Sequence, residues 1–182
     1  VHVFNQPIGS WNTAKVINMN FTFSQATAFN QPIGNWNTAN VIWMREMFSN
    51  ATAFNQPIEN WDTGNLTDMG LMFSNTASFN QAIDTWNVSN VVDMEGAFSG
   101  ASAFNQSLGR WSLNAFVNMT NLLNNSAMDC EQYSATMIGW NTNPATPNYR
   151  VLGAGGRQYG TSATPARTNL LGTKGWTISG DT

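Results

Sequence analysis

At 182 residues the chain has the length of one domain or one short array. Charged residues are only 9% of it and the net charge is −3 with 7 Lys plus Arg, which excludes the basic footprint of nucleic-acid or anionic-membrane binding. An apolar content of 42%, with 8 Trp and 11 Phe, excludes disorder; no apolar run is long enough to span a bilayer, and Cys130 alone excludes an internal disulfide framework.

The chain opens without the basic, apolar and small-residue pattern of a signal peptide. Val1 stands just ahead of Phe4, with no polar capping unit before it. This start reads as a piece of a longer protein whose repeats continue upstream, any secretion signal lying there.

From Phe4 the sequence repeats. Phe4, Phe29, Phe54, Phe79 and Phe104 are spaced 25 residues apart, and Trp11, Trp36, Trp61, Trp86 and Trp111 keep the same step. So do Met19, Met44, Met69, Met94 and Met119, while Phe23, Phe48, Phe73 and Phe98 form a fourth row that Leu123 closes. A period in the range of about 20–50 residues marks a solenoid or a similar array. Each unit is too small to bury its apolar face alone and must stack on its neighbours.

Within the second unit, Phe29, Ile33 and Trp36 predict a short strand whose margin is set by Pro32, because proline has no N–H to give to a ladder. Val41, Met44, Phe48 and Ala51 then follow helical spacing, with Asn40 as the expected N-cap. The fold class expected is a leucine-rich-repeat-like α/β repeat solenoid of five 25-residue coils, each a short strand plus a short helix or 3₁₀ segment. It occupies residues 1–128, and residues 129–182 form an α/β C-terminal cap. Asn5, Asn30, Asn55, Asn80 and Asn105 are placed to make an amide ladder along such a stack.

In the cap, residues 131–140 put Tyr133, Met137 and Trp140 on one helical face. Val151 and Leu152 predict a strand, Pro165 to Leu171 a helix capped by Ser162 or Thr164, and Trp176 and Ile178 a last strand.

The run F-N-Q-P-I-G-N-W-N-T-A-N-V-x-x-M-x-x-M-F-S-x-A resembles the surface-protein repeats of BspA-like leucine-rich repeat proteins, a group that includes mycoplasma lipoprotein repeats. The likeness covers residues 4 to about 128. The last copy departs from it most, with Ser112, Leu113, Asn114, Ala115 and Phe116 in place of N-T-x-N-V. The tail segments Y-S-A-T-M-I-G-W and V-L-G-A-G-G-R-Q-Y are similar to those that close such arrays in large secreted proteins. The resemblance implies a bacterial surface location, outside the cell, and an adhesive or interaction role. It carries over no catalytic residue.

No catalytic constellation emerges from the residues either. His2 is the only histidine, Cys130 has no histidine or second cysteine beside it, and G-A-G-G-R-Q-Y lacks the phosphate-loop pattern. The chain is therefore read as a non-enzyme with no cofactor and no metal. Asp68 with Asp93, and Glu59 with Asp84, share repeat positions and read as solvated, mildly repulsive pairs, since two carboxylates do not complete a calcium site. The Thr13, Thr38 and Thr63 row suggests an ordered-water face but breaks at Val88 and Leu113.

Trp43 is the sharpest candidate, because Asn18, Asp68, Asp93 and Asn118 hold its position elsewhere. A lone Trp at a polar position suits a partner contact, with Arg45 and Glu46 beside it. Phe21 and Leu71 intrude on a column otherwise holding Glu46, Gly96 and Asn121, and are expected to widen the patch. The function expected is binding or adhesion through the solenoid surface, with a protein partner favoured over a glycan, neither nucleic acid nor membrane insertion being involved. The alternative is a structural spacer that projects other domains. For a glycan, Trp43 and Tyr149 are the loose candidates.

Overall fold

A computed structural model describes residues 2–182; Val1, with the reading placed on it, lies outside the described residues. Successive repeats lie over one another in register. One parallel bridge per step links Asn18 to Trp43, Trp43 to Asp68, Asp68 to Asp93 and Asp93 to Asn118.

The conformation inside a coil differs from the expectation. Among the described residues no helix or strand element falls before Cys130. The segment from Phe29 to Trp36 is not a strand, and Val41 to Ala51 is a series of turns rather than a helix. The reason lies in where the backbone N–H groups go. Met19, Phe21, Phe23 and Gln25 donate to the carbonyls of Trp43, Arg45, Met47 and Ser49 in the next coil, at 2.7 to 2.9 Å. The alternate donors Thr22, Ser24 and Ala26 turn back to the carbonyls of Met19, Phe21 and Phe23, at 3.0 to 3.4 Å. A helix would spend every one of these donors within its own coil.

Two left-handed residues per coil make this alternation possible. Phe21, Glu46, Leu71, Gly96 and Asn121 form one positive-φ column, and Gln25, Asn50, Asn75, Gly100 and Asn125 form the other. Asn and Gly suit that region best, which accounts for much of the second column. Asn40 does not cap a helix; its amide donates to the Ala14 carbonyl of the preceding coil at 2.8 Å.

Apolar columns fill the interior. Phe29, Phe54, Phe79 and Phe104 stack with centroids 5.9 to 6.1 Å apart. Phe23, Phe48, Phe73 and Phe98 stack at 5.6 Å. The two columns interlock within each step, as in the 3.9 Å Phe48–Phe54 pair. Each such pair contributes about 0.5–1.5 kcal/mol beyond burial.

Polar columns tie coil to coil with side chains. The indole N–H groups of Trp36, Trp61, Trp86 and Trp111 donate to the carbonyls of Ile8, Ile33, Ile58 and Ile83, at 2.9 to 3.1 Å. Thr13, Thr38 and Thr63 are buried, and their hydroxyls donate to Asn37, Asp62 and Asn87 carbonyls. That row faces no water, so the ordered-water reading fails. The amide ladder runs from Asn5 to Asn105: each side-chain oxygen accepts the backbone N–H of the Asn one coil on, at 2.8 to 3.0 Å.

The ladder ends on an acid. Asp129 N–H donates to Asn105 Oδ1 at 2.8 Å, and the Asp129 carboxylate accepts from Gln132 N and Asn105 Nδ2. The Gln132 N–H, more than the amide, holds this carboxyl below its usual range. Asp129 is thus the N-cap of α1, Cys130–Thr142, which buries Tyr133, Met137 and Trp140. The helix comes close to the last coil at Gly109 and Gly139, where a Cβ on Gly139 would overlap the Gly109 backbone and one on Gly109 the Ala135 carbonyl.

Strand β1, Val151–Gly153, continues the stack through a parallel bridge from Met119 to Leu152. Strand β2, Thr177–Ser179, lies parallel beside β1 with Leu152 opposite Ile178. Helix α2, Thr164–Gly172, joins them. Neither Ser162 nor Thr164 caps it; a 3₁₀ turn over Thr161–Ala163 leads into it and Pro165 supplies a first turn that needs no N–H donor. Arg167 grips Asp181 through two bonds of 2.8 and 2.7 Å, and Tyr133 donates to the same carboxylate at 3.0 Å. Burial, reinforced by Asp181, pushes the Tyr133 phenol far above its ordinary value.

The Trp column yields a direct test. Trp61→Phe keeps most of the buried ring and removes the indole bond to the Ile33 carbonyl, which still accepts the Trp36 N–H at 3.1 Å, and should cost about 0.5–1.5 kcal/mol in urea unfolding. Trp11→Phe, at a ring 60% exposed, should leave the midpoint nearly unchanged.

Candidate interaction face

The residues singled out by sequence occupy neighbouring columns on one side of the stack. Trp43 sits in the bridged column and Arg45 two residues on; Phe21, Glu46 and Leu71 belong to the first left-handed column. Phe21 is 54% exposed and Trp43 41%, whereas Arg45, Glu46 and Leu71 are half-buried.

Arg45 is committed within the chain. Its guanidinium lies 2.8 Å from Asp93, two coils away, and 3.8 Å from Asp68 on the way. Gly70 makes the crossing possible, because a Cβ there would overlap the guanidinium. The acids read as merely solvated therefore have a cation between them. In the second acidic column Arg110 pairs with Asp84 alone, at 3.2 Å, and Glu59 takes part in no ion pair among the described residues. Spacing alone hid these pairs, since the partners stand in different repeats.

Burial, the largest influence, pushes the Asp68 carboxyl up and Asp93 adds to it, against the Gly70 N–H and Arg45, which hold it down. Asp68 Oδ1 accepts from Gly70 N at 2.8 Å, the same turn that Asn18 and Asn118 make with Asn20 and Thr120.

Phe21 and Leu71 do not merge into one patch. They are two coils apart with Glu46 between, and Leu71 leans toward Gly96, where a Cβ would lie 2.7 Å from Leu71 Cδ2. A row that sequence reading passed over lies on the other side of Trp43. Ile17, Ile42, Thr67 and Val92 follow one another outward-facing, joined by N–H bonds of 2.8 to 2.9 Å, with Ile17 50% and Val92 44% exposed. Lys15, Asn40 and Asn65 flank it, enclosing an open groove of about 490 Å³ with Ile17 and Ile42. The signal was present as β-branched residues at an unnamed position of the repeat.

Among the described residues no three His, Cys, Asp or Glu side chains are grouped to hold a metal ion, and Cys130 lies exposed at the start of α1.

Asp68→Asn preserves the turn bond and removes a carboxylate whose ionisation is disfavoured in the folded state. A raised folded pKa means the wild type gains relative stability as pH falls and the acid takes up its proton. The variant should therefore melt higher than wild type at pH 7, with the difference shrinking toward pH 3 in a pH series of thermal melts.

Comparison with known proteins places the chain by its repeats. No match was found among curated proteins or among solved structures. A family model described as "Mycoplasma protein of unknown function, DUF285" matches residues 1–74 and again residues 56–154. Two overlapping matches are what a tandem repeat in constant register produces, and together they take in all five coils and α1. The chain belongs to this Mycoplasma-associated repeat family.

Proposed function

We propose that the chain is a non-enzymatic interaction module of a bacterial surface or secreted protein, an LRR-like solenoid of the BspA-like kind. It takes a protein partner through the face bearing Trp43. The observation that carries this reading is the exposed Trp43 ring in a column of Asn and Asp, beside the outward row of Ile17 and Ile42. Aromatic anchors next to apolar surface supply a large share of protein–protein binding energy. Phe21 extends the same side, and Glu46 offers a rim charge; Arg45, spent on Asp93 and Asp68, serves to stiffen the face. The proposal requires no cofactor and places the chain outside the cell.

A spacer that projects other domains is the second reading. The continuous ladder and stacked aromatic columns favour it, because they make a stiff rod without any ligand.

Binding to an array of extracellular-matrix proteins separates the two. Trp43 reaches its neighbours through backbone bonds, so Trp43→Ala should fold normally. A selective partner bound by the native chain and weakened at least about tenfold by Trp43→Ala supports the interaction module. Absence of binding by folded protein supports the spacer.

A further inference from the structure

The fifth coil breaks register by one residue, and the break exposes an aromatic ring. In coils two to four Val41, Leu66 and Val91 are buried and an outward residue follows each before the bridged column. Counting 25 from Val91 gives Phe116, but Phe116 is 79% exposed and Val117 is buried in its stead. Val117 N–H turns back to the Asn114 carbonyl, as Val91 does to Val88, so the slip is confined to the turn after Leu113.

Tyr149 comes to the same spot from the cap and is 76% exposed. Its φ is +58°, a left-handed value that is unfavourable for a bulky aromatic residue. It is nevertheless fixed: its N–H donates to the Lys174 carbonyl at 2.8 Å, and its ring lies against Gly175, where a Cβ would come within 2.7 Å. Glycine or asparagine would serve this backbone with less strain. A strained, exposed aromatic residue gives nothing to the core, and such strain gathers at binding sites.

Between the two rings lies a cleft of about 230 Å³ whose other lining includes Asn118, Thr120, Arg150 and Val151. Arg150 is oriented by bonds from Nε to the Asn148 carbonyl at 3.0 Å and from Nη1 to the Val117 carbonyl at 3.5 Å, which leaves Nη2, and it takes part in none of the ion pairs among the described residues. An extended peptide cannot add here as a strand, since β1 is already paired with Met119 on one side and with β2 on the other.

We infer that this junction is a binding site for an acidic saccharide. The apolar face of a pyranose ring lies against Phe116 and Tyr149, its carboxylate meets Arg150, and Asn118 and Thr120 receive its hydroxyls. The Nη2 group of Arg150 supplies a charged donor to a carboxylate, and a small cleft with a few polar groups suits one sugar ring. The site lies three coils along the same bridged column from Trp43 and does not use its ring.

Isothermal titration with a short glucuronic-acid oligosaccharide, sialyllactose and maltotriose tests the inference. The native chain should bind at least one of the two acidic sugars and prefer it to maltotriose. Arg150→Gln should weaken that binding at least about tenfold. Tyr149→Gly should abolish it with Tm unchanged or raised, and Tyr149→Asn, also suited to the left-handed region, serves if the glycine variant fails to fold. Trp43→Ala should bind the sugar as the native chain does. The inference is overturned if the native chain binds none of the three, or if the Arg150 or Tyr149 variants bind as tightly as it does.

Discussion

The alternation of backbone donors between the next coil and the same coil governs everything else in this chain. A buried N–H must find an acceptor, and the described coils form neither a helix nor a broad sheet in which to spend their donors. Sending every second N–H forward and folding the others back satisfies both groups at once. The cost is a left-handed residue at two points in each coil. Because the ladder advances one coil at a time, each side chain is set above its counterpart, and the Phe and Trp columns follow.

The side-chain columns give this ladder a direction. Trp donates its indole N–H back to the preceding coil, Thr donates its hydroxyl forward, and the Asn carbonyl receives the next backbone N–H. These bonds fix the step at 25 residues, since a coil with one residue more or fewer would mismatch several columns together. Coil five shows how local a departure must be. Its slip is taken up between Leu113 and Asn118, after which Met119 and Leu123 return to the buried columns. The cap then grows from the ladder itself, with Asp129 ending the Asn row and β1 and β2 adding two parallel rungs.

The surface is where the repeats stop agreeing. Trp43 departs from a polar column, Arg45 reaches across Gly70 to acids in two further coils, and Phe116 leaves the interior. None of these is required by the ladder, whose bonds at the same positions are made by the backbone. A scaffold that is satisfied by its main chain and its interior columns leaves its outward positions free to vary, and that freedom is what a recognition surface uses.

The sequence by itself determined the period, the members of the buried columns and the elements of the cap. Helix α1 covers the predicted residues 131–140, and the predicted strands near Leu152 and Ile178 are β1 and β2. These were legible because burial repeats along the chain wherever the structure repeats. The conformation of the coil was not legible. Val41, Met44, Phe48 and Ala51 face inward at helical offsets, yet they do so through turns, and spacing alone cannot distinguish a helix from turns that place the same residues inward. The pairing of Arg45 with Asp93 and the meeting of Phe116 with Tyr149 at one cleft were hidden for a related reason. They join residues 48 and 33 positions apart in the chain, across coils or across the junction with the cap, and only the stacking of those elements brings them together.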